Sequence, residues 1–140
     1  TTEIYTLSLH DALPISLFNN FLSHLTSLYP LEASKKTSLT VKMQLHPNKR
    51  YLFNPYTNRV SARATCTHTK NKCILDICTL GRTDYTICTL IAHEFRHAWY
   101  RAQQLDYTRE EERECERFGA IVAKKYFRLN NLPIEGTYMD

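Results

Sequence analysis

Thr83-Asp84-Tyr85-Thr86-Ile87-Cys88-Thr89-Leu90-Ile91-Ala92-His93-Glu94-Phe95-Arg96-His97-Ala98 is the stretch on which the rest of the chain depends. Ile87, Leu90, Ile91, Phe95 and Ala98 recur at helical spacing, which predicts a helix from a cap at Thr83 or Asp84 through Gln104. Inside it stands an HExxH segment, His93-Glu94-Phe95-Arg96-His97. Two imidazoles four residues apart share one helical face, close enough to hold a single metal ion. The Glu94 carboxylate between them would point at whatever water that ion binds. Zn²⁺ suits such nitrogen ligands and lowers the pKa of its water to about 7, so a base beside that water is the core of a hydrolytic site. The segment therefore predicts one zinc ion, held by His93 and His97, with Glu94 as general base.

Such a site needs at least three protein ligands. No histidine follows His97, the others being His10, His24, His46 and His68, and Gln103 stands where a third histidine six residues on would fall. The downstream ligand is therefore expected to be acidic. Thr108-Arg109-Glu110-Glu111 reads as a capping box, Thr followed three residues later by Glu. It opens a last helix to about Leu129, stopped by Asn130, Asn131 and Pro133, and Asp106-Tyr107 is the break before it. If the two helices pair antiparallel across that break, the acids of the first turns come near the end of the HExxH helix. Glu112 is the preferred third ligand, and Glu116, four residues on, is placed to accept a hydrogen bond from a ligand histidine. Glu110 and Glu111 read as solvated acids favoured by the helix dipole. Tyr100, a turn after His97, reads as a packing residue that could also reach a scissile carbonyl.

His93-Glu94-x-x-His97 followed by Glu112-Arg113-Glu114-Cys115-Glu116-Arg117-Phe118-Gly119 resembles the gluzincin pattern of metallopeptidases. Among small proteins of that kind it is most similar to the ImmA/IrrE type, whose second motif reads roughly E-x-E-A-N/D-x-F-A. The resemblance covers roughly residues 73 to 125. It implies a zincin-like fold and a zinc-dependent hydrolase, a metalloprotease acting on a protein or peptide, with Glu112 as third ligand and Glu116 in the place of the usual Asn or Asp. Cys115 and Gly119 stand where that pattern has alanines, and only 14 residues separate His97 from Glu112. Domains of this type also act in regulation, so a metal-binding or DNA-associated module with little peptidase activity is the alternative.

Upstream, Phe18, Phe21, Leu22, Leu25 and Leu28 predict an amphipathic helix from residue 17 to about 28. Leu39, Val41, Met43 and Leu45 alternate with polar residues as a half-buried strand does. Short strands are expected at residues 51–53, 60–66 and 73–78, the last two joined by a hairpin loop over residues 67–72. The class is α+β: an N-terminal helix, a small mixed or antiparallel sheet of three or four strands, then two long helices carrying the site. The resemblance implies that the 73–78 strand is a sheet edge whose backbone pairs with an extended substrate, the other reading being a core strand. Cys66, His68, Cys73 and Cys78 could be imagined as a second zinc site, but a hairpin is the better reading. Cys88 and Cys115 read as small hydrophobes on inward faces.

Residues 1–15 (TTEIYTLSLHDALPI) resemble a translated sequencing adapter, so they are expected to lie outside the fold, with the natural N-terminus lost. Without Glu3 and Asp11 the chain has 18 basic and 12 acidic residues, raising the formal charge from +4 to +6. The remaining roughly 125 residues suit one domain. Five cysteines at irregular spacing do not form a disulfide scaffold, which points to a reducing compartment, the cytoplasm. No apolar run approaches the ~20 residues of a membrane span. The basic residues lack an arginine–aromatic ladder, so they read as solvated surface, with an acidic or nucleic-acid partner left open.

Overall fold

The computed structural model describes residues 14–31, 40–69, 71–103 and 105–136. It is an α+β chain with one N-terminal helix, a small mixed sheet, a separate two-stranded ladder and two C-terminal helices. Helix α1 (Ile15–Leu28) buries Phe18, Phe21, Leu22 and Leu25, the stripe its sequence spacing announces. It begins at Ile15, two residues ahead of the expected start, and residues 1–13 of the adapter-like stretch lie outside the described residues.

Strands β1 (Thr40–His46), β5 (Lys72–Cys78) and β4 (Ala64–Thr69) form the sheet in that order. β1 runs parallel to β5, with Val41 opposite Cys73 and Leu45 opposite Ile77, while β4 runs antiparallel to it. Val41, Met43, Leu45, Cys73, Leu75 and Ile77 are buried by the alternation of the two strands. The 60–66 strand expected from alternation is two strands. Arg63 is a bend, after which the chain leaves the ladder of β2 (Leu52–Asn54) with β3 (Arg59–Ala62) and enters β4 in the other sheet. Residues 67–69, expected in a loop, extend β4 instead.

β5 is therefore central rather than an edge strand, a correction with a plain cause: alternation shows which side chains are buried and is silent on which strands flank them. Among the described residues, the open edge on that side belongs to β4. The Cys78 N–H donates to the Arg63 carbonyl at 3.0 Å, continuing the register in which Ala64 faces Ile77. Bonded and non-bonded pairs alternate in an antiparallel ladder, so Ala64, Cys66 and His68 turn their backbone groups away from β5.

Helix α2 (Asp84–Ala102) starts at Thr83, whose side chain accepts from the Thr86 N–H. Helix α3 (Arg109–Leu129) starts at Thr108, which caps the Glu111 N–H in the same way. The two helices run antiparallel: His97 meets Glu111, Thr89 and His93 lie against Gly119, and the Tyr85 ring lies 5.4 Å from that of Phe127. The buried residues of α3 are Glu111, Cys115, Gly119, Ala123 and Phe127, every fourth position. Three small residues in that row bring the backbones close, and a Cβ added at Gly119 would lie 2.8 Å from the Thr89 carbonyl.

Candidate metal centre

α2 presents His93 and His97 one turn apart, their ring centroids 5.1 Å from each other. His93 is almost wholly buried and His97 nearly so. From α3, Glu112 reaches both: Oε1 is 2.9 Å from His93 Nε2, and Oε2 is 2.9 Å from His97 Nε2. The three side chains form a group able to hold a metal ion. The sequence placed these residues on two helices, and the structure brings them together on one carboxylate.

Glu94 is buried, not the ordinary exposed acid it would be on a free helix, and its carboxylate is 3.8 Å from His93 Nε2. Burial pushes its carboxyl pKa up, with the Glu112 charge adding to the rise and the two imidazoles opposing it. Burial by itself would lower His97. Hydrogen bonding to Cys115 and Glu112, with the Glu94 charge, more than offsets this and raises it to about 11. Hydrogen bonds from both imidazoles hold the Glu112 carboxyl well below the usual carboxylate range, against the opposing effect of burial.

Glu116 is exposed and bonds neither histidine among the described residues. The contact expected of it is made by Glu111, whose Oε2 lies 2.6 Å from His97 Nδ1 and whose Oε1 pairs with Arg101. At 2 % exposure, Glu111 is among the most buried charged residues of the chain. With its Nδ1–H donated to Glu111, the His97 ring would meet a metal through Nε2 once the proton now shared with Glu112 is given up, the tautomer that a metal ligand needs. The residues present thus fit a metal by their donor chemistry, the two Nε2 atoms and one carboxylate facing a common point.

The capping box masked Glu111 in the sequence, because it offers that residue a local role as a partner of Thr108. The signal that finds it is the spacing of four: counting back from Ala123 through Gly119 and Cys115 reaches Glu111, not Glu112. Glu112, one position further round the helix, is 49 % exposed in its side chain and marks the open side of the site.

Around this centre, Tyr100 packs against the Arg96 guanidinium at 5.5 Å and edge-on to Trp99. Arg96 forms a forked ion pair with Glu114 and lies 4.1 Å over the Trp99 ring. Tyr107, from the connection between the helices, stacks on His97 at 6.3 Å, a neighbour that sequence reasoning did not single out. On β4, hydrogen bonding to the Cys73 thiol and burial hold the Cys66 thiol well above its ordinary value, and the nearby Glu94 charge adds to the rise. Cys66, His68, Cys73 and Cys78 form no metal-holding group among the described residues, and the β4–β5 hairpin stands there instead. All five cysteines are free thiols. No described helix is long and apolar enough to cross a membrane. No family model, curated protein or solved structure matches the chain, so its site is read from its own chemistry.

Proposed function

We propose that this chain is a small zincin-like metallopeptidase of gluzincin type, with the HExxH helix and the Glu112 helix as the two halves of its site. The observation that carries this reading is the Glu112 carboxylate at 2.9 Å from both Nε2 atoms, beside a buried glutamate. His93, His97 and Glu112 would hold one Zn²⁺, a ligand set of two imidazoles and one carboxylate that leaves a position for water. When bound, zinc supplies a Lewis acid that polarises a carbonyl and acidifies water. Glu94 takes the proton of the attacking water and hands it to the leaving amine. Glu111 holds the His97 ring in its tautomer and orientation. The open edge of β4, close enough to Glu94 for its charge to bear on Cys66, offers backbone groups to an extended peptide.

Purified protein reconstituted with zinc is expected to hold about one ion per chain. Glu94→Gln is expected to keep that ion while peptide hydrolysis falls by about 10²-fold or more. Protein that retains no zinc after reconstitution would sink the reading. A second reading, a DNA-associated regulatory module, draws on the exposed basic residues of α3, Arg113, Arg117, Lys124, Lys125 and Arg128. It requires binding to duplex DNA that weakens steeply with salt; binding absent even at low salt removes it.

A further inference from the structure

Three rings stand in series at the rim of the metal centre. His97 stacks with Tyr107 at 6.3 Å and 29° between planes, and Tyr107 stacks with Tyr56 at 6.4 Å and 17°. Tyr56 comes from the far side of the site, at the tip of the β2–β3 hairpin. Its position there is built: the Tyr56 N–H donates to the Asn54 side chain at 2.9 Å, the Thr57 hydroxyl donates to the Asn54 carbonyl, and Asn58 closes the turn at φ 56°. Despite this stacking, Tyr107 is 54 % exposed and Tyr56 is 90 % exposed. Tyr107 thus stands in water one stacking distance from the His97 imidazole, and Tyr56 one further step out, on the side where the half-exposed Glu112 opens the centre. Much of the gain from burying aromatic surface is still to be realised there.

We infer that Tyr107 and Tyr56 form a substrate subsite, taking the aromatic or large apolar side chain of the peptide residue next to the scissile bond. The inference rests on the peptidase reading above and adds to it a substrate class. The occupant is argued from position and charge. A side chain lying on Tyr107 belongs to a residue at the reacting centre, because the same ring lies against His97. With zinc bound, the Glu112 and Glu94 carboxylates offset the ion's charge, so the centre holds out no net charge to a charged side chain. A small side chain would leave both rings wet.

The test uses zinc-loaded protein and three peptide hydroxamates identical except for the side chain beside the chelating group: benzyl, methyl or aminobutyl. Calorimetry is expected to show the benzyl compound binding about tenfold tighter than the methyl compound, with aminobutyl no better than methyl. Tyr107→Ala and Tyr56→Ala are each expected to pull the benzyl-to-methyl ratio toward one, whereas Tyr107→Phe keeps it. Tyr56 lies outside the core, and zinc stoichiometry measured on each variant checks that the helices carrying the centre are intact. A ratio near one in the native protein, a ratio that survives both alanine substitutions, or a preference for aminobutyl overturns the subsite and leaves the zinc reading intact. Protein that holds zinc but binds none of the three overturns both.

Discussion

Glu111 and Glu112 are neighbours in the chain, yet they meet opposite nitrogens of one imidazole, 2.6 Å from Nδ1 and 2.9 Å from Nε2 of His97. Consecutive helical residues point about 100° apart, which separates a buried carboxylate that orients the ring from a half-exposed one placed to join it on a metal. Their substitutions are expected to differ accordingly. Glu112→Ala removes a ligand, and zinc stoichiometry measured after dialysis should fall from about one toward zero. Glu111→Gln leaves the ligands in place and weakens zinc binding by about 10–100-fold in a competition titration. Glu116→Ala should leave zinc affinity unchanged, because its side chain is exposed and the His97 Nδ1 contact is made by Glu111. A Glu116→Ala loss equal to that of Glu111→Gln would reverse the assignment of roles.

The α2–α3 pair depends on the row of small residues between its ends. Gly119 has no room for a methyl group: the Thr89 carbonyl would be 2.8 Å away and the His93 N–H nitrogen 3.2 Å away, both backbone atoms that cannot rotate aside. Gly119→Ala is expected to destabilise the fold by about 1–3 kcal/mol in denaturant unfolding, although alanine is the better helix former. It should also weaken zinc binding, because the helices separate next to His93; an unchanged melting curve would show that the contact yields. These helices were legible in the sequence because apolar spacing, caps at Thr83 and Thr108 and the HExxH spacing all agree. The sheet was legible only in part. Alternation in β1 correctly marked its buried face, but in the 60–66 segment the pattern runs unbroken through Arg63, where the chain changes sheets. Strand neighbours are settled by long-range pairing, and β1 meets β5 only after the whole β2–β4 segment has intervened. The same limit applies to the site: the helix-borne residues could be assigned by spacing, whereas Tyr107 and Tyr56 come from connections whose course spacing does not fix.

Across the whole molecule, the centre ties stability to pH from two sides. His97, raised to about 11 from an ordinary 6.5, stabilises the metal-free fold fully below pH 6.5, and that contribution is lost as pH climbs toward 11. Glu112, depressed from an ordinary 4.5, contributes fully above pH 4.5 and loses its contribution as pH falls further into the acid range. These two groups therefore support the metal-free protein best between pH 4.5 and 6.5. Zinc requires His97 neutral, so its binding releases a proton and strengthens with pH. Thermal melts with and without zinc should diverge as pH rises from about 6 to 8, and a gap that narrows instead would contradict the ligand set. The bend at Arg63 has a different consequence. It joins the sheet to a two-stranded ladder held at its base by Arg82, which donates to the Arg50 carbonyl and lies over Tyr51, and at its tip by the Tyr56–Tyr107 stack. A ladder of two short strands is marginal on its own in water, so it depends on these contacts at its base and tip. The three donors of the centre thus rest on the paired helices, while its rim is borrowed from a hairpin with no core of its own.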